Sequence, residues 1–87
     1  MNYEKIYEQL IERSIFRTLE GYVEMHHIVP QCFGGTNEKS NLTPLTAREH
    51  FIAHLLLYRI QTSKRRRHQM LKACTMMAGK EIYNSRL

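Results

Sequence analysis

Four of the chain's five histidines fall between positions 26 and 54, and they come as two pairs of different geometry. His50 and His54 are four residues apart in a stretch that reads as a helix, which puts both imidazoles on one face, one turn apart. That spacing chelates metal ions, although it also occurs on solvated helix faces. His26 and His27 are adjacent at the end of a β-favouring stretch, where neighbouring side chains point to opposite sides of the backbone. The two cannot be equivalent ligands: one can face a metal while the other faces the substrate. A third imidazole from His26 completes a set of three protein ligands with positions left open, the arrangement of a catalytic rather than a closed structural site. The competing reading is a buried, hydrogen-bonded histidine pair that caps the strand.

The elements that must position these rings can be read from the flanking sequence. Tyr3, Ile6, Tyr7, Leu10 and Ile11 recur at three-and-four spacing that continues loosely through Ile15 and Phe16, predicting an amphipathic helix over 2–19 stopped by Gly21. Tyr22, Val23, Glu24 and Met25 then alternate as a short strand. Positions 30 to 44 are rich in turn-formers, including Pro30, Gly34, Gly35 and Pro44, and read as a long loop closing a hairpin. Gly34 and Gly35 can take positive φ at little steric cost, which allows a tight reversal.

Thr46-Ala47-Arg48-Glu49 matches a capping box, so a helix is expected to start there and run to about Ile60. Phe51, Ile52, Leu55, Leu56 and Leu57 cover most of its circumference, which predicts burial between other elements. After a break at Gln61-Thr62-Ser63, a basic helix is expected over 64–78, ended by Gly79, with Met70, Leu71, Cys74 and Met77 as its inner stripe. Met70, Met76 and Met77 read as core filler. The fold class is α+β: a small, mostly helical domain around a hairpin and the histidine-bearing helix.

Composition narrows the function. At 87 residues the chain supports one small core, so a single domain over 1–87 is expected. No apolar run approaches the twenty or so residues of a membrane span, and no secretory signal is visible at the N-terminus. Cys32 and Cys74 form no Cys-x-x-Cys pair, which disfavours a zinc knuckle and a disulfide framework and makes reducing cytoplasm the default compartment. There is no aspartate, so paired-Asp chemistry is excluded and any metal must rely on His, Glu or Asn. The net charge of +5 is uneven: positions 59–87 carry eight basic residues and one acidic. A cationic third suits a polyanion, since lysines and arginines that neutralise phosphates release counterions. Lys64, Arg65, Arg66 and Arg67 also read as an ordinary solvated helix start.

Taken together, Glu24-Met25-His26-His27-Ile28-Val29-Pro30, then Gly34-Gly35, Asn41-Leu42, and Thr46-Ala47-Arg48-Glu49-His50-Phe51-Ile52-Ala53-His54 resemble the signature of the HNH nucleases. The resemblance covers positions 22 to about 57, and the flanks look like those of phage-encoded members, including free-standing homing types. It implies a ββα-metal core over about 22–60, in which hairpin and helix clamp one divalent cation. Carried over by position, His26, His50 and His54 are the ligands, an all-histidine site like that of the colicin-type DNases. His27 is the general base, and Asn41 braces the hairpin loop and helps to orient it. Glu24 stands behind the ligands, and Arg48 reaches the scissile phosphate or simply packs at the helix start.

A neutral imidazole titrating near about 6.5 can take a proton from water, which suits His27 to activate the nucleophile. Three imidazoles favour Zn²⁺, Ni²⁺ or Co²⁺, whereas Mg²⁺ prefers oxygen ligands. Zn²⁺ is therefore the expected resident ion, with Mg²⁺, Mn²⁺, Ni²⁺ or Co²⁺ as candidates for turnover. The resemblance implies double-stranded DNA as substrate, products with 5′-phosphate and 3′-hydroxyl ends, and the cytoplasm of a bacterial or phage-infected cell. Lys64, Arg65, Arg66 and Arg67 are the expected backbone contacts. Specificity is expected from a homodimer or a larger partner. The alternative is a metal-stabilised DNA-binding module without catalysis.

Overall fold

The computed structural model describes residues 1–72. In chain order the elements are α1 (Tyr3–Ile15), β1 (Glu24–His27), β2 (Leu42–Leu45) and α2 (Ala47–Ile60). A third helix, α3, occupies 64–72. The arrangement is the α+β one expected, a two-stranded antiparallel hairpin set among helices. The rest of the expected basic helix, with Cys74, Met76, Met77 and the Gly79 stop, lies outside the described residues.

Helix α1 opens with Asn2, whose side chain accepts a hydrogen bond from the Lys5 amide at 3.1 Å. Its inward face is Tyr7, Leu10, Ile11 and Ser14. It ends at Ile15 rather than at 19, because a helix this short is sustained by packing of its apolar face and that face runs out. Ile15 and Phe16, counted on the buried stripe from their spacing, are 56% and 82% exposed.

Strand β1 begins two residues later than the alternation at Tyr22 suggested. Its register pairs Glu24 with Leu45, Met25 with Pro44, His26 with Thr43 and His27 with Leu42. Pro44, read from sequence as a turn-former, sits inside β2. A two-stranded sheet has two open edges, so a residue without an amide proton is tolerated there. Burial alternates along both strands: Glu24, His26, Thr43 and Leu45 face inward, while Met25 is exposed and His27 is half-buried. Ser14 Oγ meets Thr43 Oγ1 at 2.7 Å, tying α1 to the inward face of β2.

Between the strands, Asn41 holds the loop in shape. Its side-chain oxygen accepts from the Val29 amide at 2.8 Å, and its amide nitrogen donates to the carbonyls of Val29 and Thr36 at 3.0 and 2.8 Å. The two glycines serve different needs. Gly34 has φ +91°, which closes a short 3₁₀ turn over Gln31–Phe33. Gly35 needs room instead, since a β-carbon there would stand 1.7 Å from the Val29 carbonyl oxygen and 3.0 Å from Asn41 Nδ2.

The capping box forms at α2: the Thr46 hydroxyl accepts from the Glu49 amide, and the Glu49 carboxylate accepts from the Thr46 amide at 3.0 Å. The same carboxylate takes two hydrogen bonds from Arg17, one at 2.8 Å, so the chain leaving α1 is fastened to the start of α2. The core joins Tyr7, Leu10 and Ile11 to Leu45, Ala53, Leu56, Leu57 and Met70. Helix α2 is not enclosed on all sides as its apolar circumference suggested: Ile52 and Leu55 are 42% and 39% exposed. So small a domain has too few elements to cover every face. Leu71, assigned with Met70 to the inner stripe of α3, is 48% exposed while Met70 is fully buried.

The contrast between the loop glycines is testable. Gly35→Ala should cost about 1–3 kcal/mol or more, because the new carbon collides with backbone. Gly34→Ala should cost about 1–2 kcal/mol for a positive φ alone. Urea midpoints at constant slope would show the order, and a loss at Gly35 no larger than at Gly34 would contradict it.

Candidate metal centre

Strand β1 and helix α2 meet on the inward side of the hairpin, and the structure brings His26, His50 and His54 together there. Each offers one ligand atom, and these atoms all lie within 4.8 Å of one another. The rings stand edge to face, with centroids 5.1 Å apart for His26 and His50, 5.4 Å for His26 and His54, and 4.9 Å for His50 and His54. The helix supplies two by its repeat, and the pleat of β1 turns the third inward. His26 has no exposed surface, and the other two are half-buried.

The hydrogen bonds around the cluster decide which nitrogens are left. His50 Nδ1 lies 2.8 Å from Glu24 Oε1. An ionised carboxylate only accepts, so Nδ1 carries the proton and the lone pair of Nε2 remains for a ligand. Glu24 is itself buried and accepts a further hydrogen bond from the Tyr22 hydroxyl. His26 Nε2 lies 2.7 Å from the Tyr7 hydroxyl. Burial raises the pKa of that hydroxyl above the ordinary tyrosine range, so it stays protonated.

The nitrogens His26 Nδ1 and His54 Nδ1 are buried without a hydrogen-bond partner. Leaving such atoms unsatisfied costs about 1–3 kcal/mol each, so their presence in a cluster of metal-ligating type fits a cation better than a purely structural role. Burial, reinforced by the neighbouring imidazoles, pushes His26 down to about 3 and His54 down to about 4. Both rings are therefore neutral, the form that binds metals.

His27 is half-buried and stands outside the cluster, near enough to add to the electrostatic lowering of His26 and His54. Its Nε2 lies 2.8 Å from Asn37 Oδ1, which also accepts from Gln31 Nε2 at 3.0 Å. An amide oxygen only accepts, so Nε2 carries the proton and Nδ1 is left able to take one. Asn41 makes its hydrogen bonds to loop backbone, and the direct contact with His27 falls to Asn37. Arg48 is exposed in the first turn of α2, and Lys64, Arg65, Arg66 and Arg67 are exposed at the start of α3. The Arg66 guanidinium lies 4.6 Å from the Phe33 ring centre and that of Arg67 lies 5.2 Å from Tyr58, so the basic turn is packed on the loop and on α2. Cys32 is exposed, and any pairing with Cys74 lies outside the described residues.

Sequence reasoning missed four residues that the structure puts in place. Tyr7 read only as part of an apolar helix face, Tyr22 only as a strand residue and Asn37 only as loop chemistry, and Arg17 had no assigned role. Asn37 follows Gly34-Gly35-Thr36, where a side chain able to fold back on the strand end was a visible possibility.

The depressed histidine values carry a stability consequence. Folded His26 and His54 stay neutral where the same rings in the unfolded chain, with the ordinary value of 6.5, take up protons. The unfolded state thus binds more protons between pH 6.5 and about 4, and stability falls as pH is lowered through that window. Glu49 adds to the loss below 4.5, since the Arg17 hydrogen bonds hold its carboxyl at about 2. Thermal melts of chelator-treated protein should show the midpoint dropping steadily across this range. A midpoint unchanged from pH 6.5 to 4 would show that the rings are not buried as neutral groups.

No family model matches the chain, and no solved structure matches it. Over 82 residues it is 48% identical to a protein of Enterobacteria phage T4 named probable mobile endonuclease E, an alignment covering 93% of this chain and 58% of that protein. Over 65 residues it is 52% identical to probable mobile endonuclease B and 51% identical to probable mobile endonuclease D of the same phage. Each of these alignments takes in 69% of this chain and 25% of the relative. The chain is thus related to phage proteins bearing the name probable mobile endonuclease, and it spans from a quarter to somewhat over half of their length.

Proposed function

We propose that this chain is the catalytic part of a metal-dependent DNA endonuclease of the HNH type. The observation that carries the reading is the division among the histidines: His26, His50 and His54 converge, two of them with unsatisfied nitrogens, while His27, next in sequence to one of them, stays out of the cluster with Nε2 on Asn37 and Nδ1 able to accept a proton. The names of the T4 relatives support the same reaction.

His26 Nδ1, His50 Nε2 and a ring nitrogen of His54 would hold one divalent cation, with Glu24 and Tyr22 fixing the His50 ring. When bound, such a cation supplies Lewis-acid stabilisation of the charge that develops on the phosphate and on the departing 3′ oxygen, worth several kcal/mol in general. His27 takes the proton of the attacking water at Nδ1. Asn37 grips Nε2–H, which keeps the ring in that tautomer and offers an oxygen to the imidazolium as it forms. Asn41 keeps the loop that presents Asn37 in shape, and Arg48 reaches a phosphate. Zn²⁺ is the resident ion that this donor set favours, with Mg²⁺, Mn²⁺, Ni²⁺ or Co²⁺ as candidates for turnover.

Lys64, Arg65, Arg66 and Arg67 place four cations at the positive end of the α3 dipole, where cations are unfavourable. A duplex phosphate backbone offsets that repulsion. Contacts of this kind position the DNA without reading its bases, so little intrinsic sequence preference accompanies them.

A plasmid-nicking assay tests the proposal. Cleavage should require a divalent cation, stop with EDTA, and fall about 10²–10⁴-fold in His27→Ala while metal binding persists. Tight DNA binding without cleavage under any of the metals would replace the nuclease with a metal-stabilised binding module. For the basic turn, Lys64→Gln with Arg65→Gln should weaken binding uniformly across sequences and flatten the salt dependence, by about 0.9 in slope for each phosphate that is no longer neutralised. An unchanged slope would remove this turn from the DNA interface.

A further inference from the structure

Tyr7 lies outside both the hairpin and α2, yet it reaches the most deeply buried imidazole of the cluster. Its hydroxyl is 2.7 Å from the Ile28 carbonyl oxygen and 2.7 Å from His26 Nε2. A phenol has one proton to give, and a carbonyl oxygen has none. The Tyr7 proton therefore goes to Ile28, and the phenolic oxygen meets His26 as an acceptor. His26 Nε2 must then carry hydrogen, which in a neutral imidazole leaves Nδ1 bare. Nδ1 is the nitrogen that is buried with no hydrogen-bond partner. The opposite tautomer would set a lone pair against the phenolic oxygen and bury an unpaired N–H, at about 1–3 kcal/mol.

We propose that Tyr7 is a positioning residue for the metal centre: the chain from His26 Nε2–H through the Tyr7 hydroxyl to the Ile28 carbonyl locks His26 in the tautomer whose Nδ1 can take a cation. Its role toward a metal rests on the reading given above, whereas the tautomer does not. The lock is set in the folded protein before any ion arrives, so binding needs no proton rearrangement at the buried ligand. Ile28 follows His27 directly, so the same hydroxyl also anchors the strand end from which the base projects. Helix α1 thereby prepares a centre whose ligands all lie on other elements.

Two measurements test this. In chelator-treated protein with ¹⁵N-labelled histidine, two-bond ¹H–¹⁵N correlations report the His26 tautomer. Zn²⁺ affinity follows from competition with a chromophoric chelator. Wild type should show His26 protonated at Nε2. Tyr7→Phe keeps the ring volume and should lose that preference, with Zn²⁺ affinity lowered about 10–100-fold. Ser14→Ala removes two other buried hydrogen bonds of α1, those to Thr43 and to the Ile11 carbonyl, and should lower stability while leaving both readouts unchanged. Wild-type His26 with a bare Nε2 overturns the proposal, as does a Tyr7→Phe protein with unaltered tautomer and affinity. If Tyr7→Phe does not fold, the wild-type tautomer decides. A wild type that binds no Zn²⁺ overturns the metal centre and Tyr7's role in it, whereas a bare Nε2 overturns the lock alone, so the two failures are distinguishable.

Discussion

Three imidazoles crowd together beneath the hairpin with two of their nitrogens unsatisfied, and the surrounding structure is organised by the need to hold them there. Rings in that state contribute little cohesion of their own. They are kept in place by hydrogen bonds at their far sides, which His50 donates to the Glu24 carboxylate and His26 makes with the Tyr7 hydroxyl oxygen. The arrangement is a local weakness in the core of a small domain, and it makes chemical sense as a seat for an electrophile.

The hairpin converts one step along a strand into a division of labour. Because the pleat alternates, His26 goes inward to the cluster and His27 outward to the opposite face, without any special backbone strain in β1. The register that makes this possible is held at one end by Ser14 on Thr43 and at the other by Asn41 on Val29 and Thr36. A slip of one residue would exchange the two histidines between faces. The loop is therefore tied to the histidine pair and to the basic turn: it carries Asn37 to His27, and its Phe33 receives Arg66.

Charge is distributed to match. Glu49 is committed to the cap of α2 and to Arg17, and Glu24 is committed to His50 and Tyr22. The acidic groups nearest the histidines thus serve structure, while the exposed charge around the start of α3 is positive. Such a surface attracts a phosphate backbone at long range, with salt screening the attraction.

The sequence by itself determined what depends on local rules. The capping box at Thr46 and Glu49 sets where α2 starts, the helical repeat then puts His50 and His54 on one face, and strand alternation separates His26 from His27. Those three facts limited the converging set to His50, His54 and one of the adjacent pair, and the family resemblance pointed to His26 as that one. Where α1 ends, where β2 lies and how much of α2 is covered were decided by tertiary structure, because each depends on what an apolar face finds to pack against. The hydrogen-bond partners were beyond sequence for the same reason: Tyr7 meets a ring nineteen residues away and Arg17 meets a carboxylate thirty-two residues away. A side chain's spacing along the chain states which face it occupies, and only the docking of one element on another states which atom it touches.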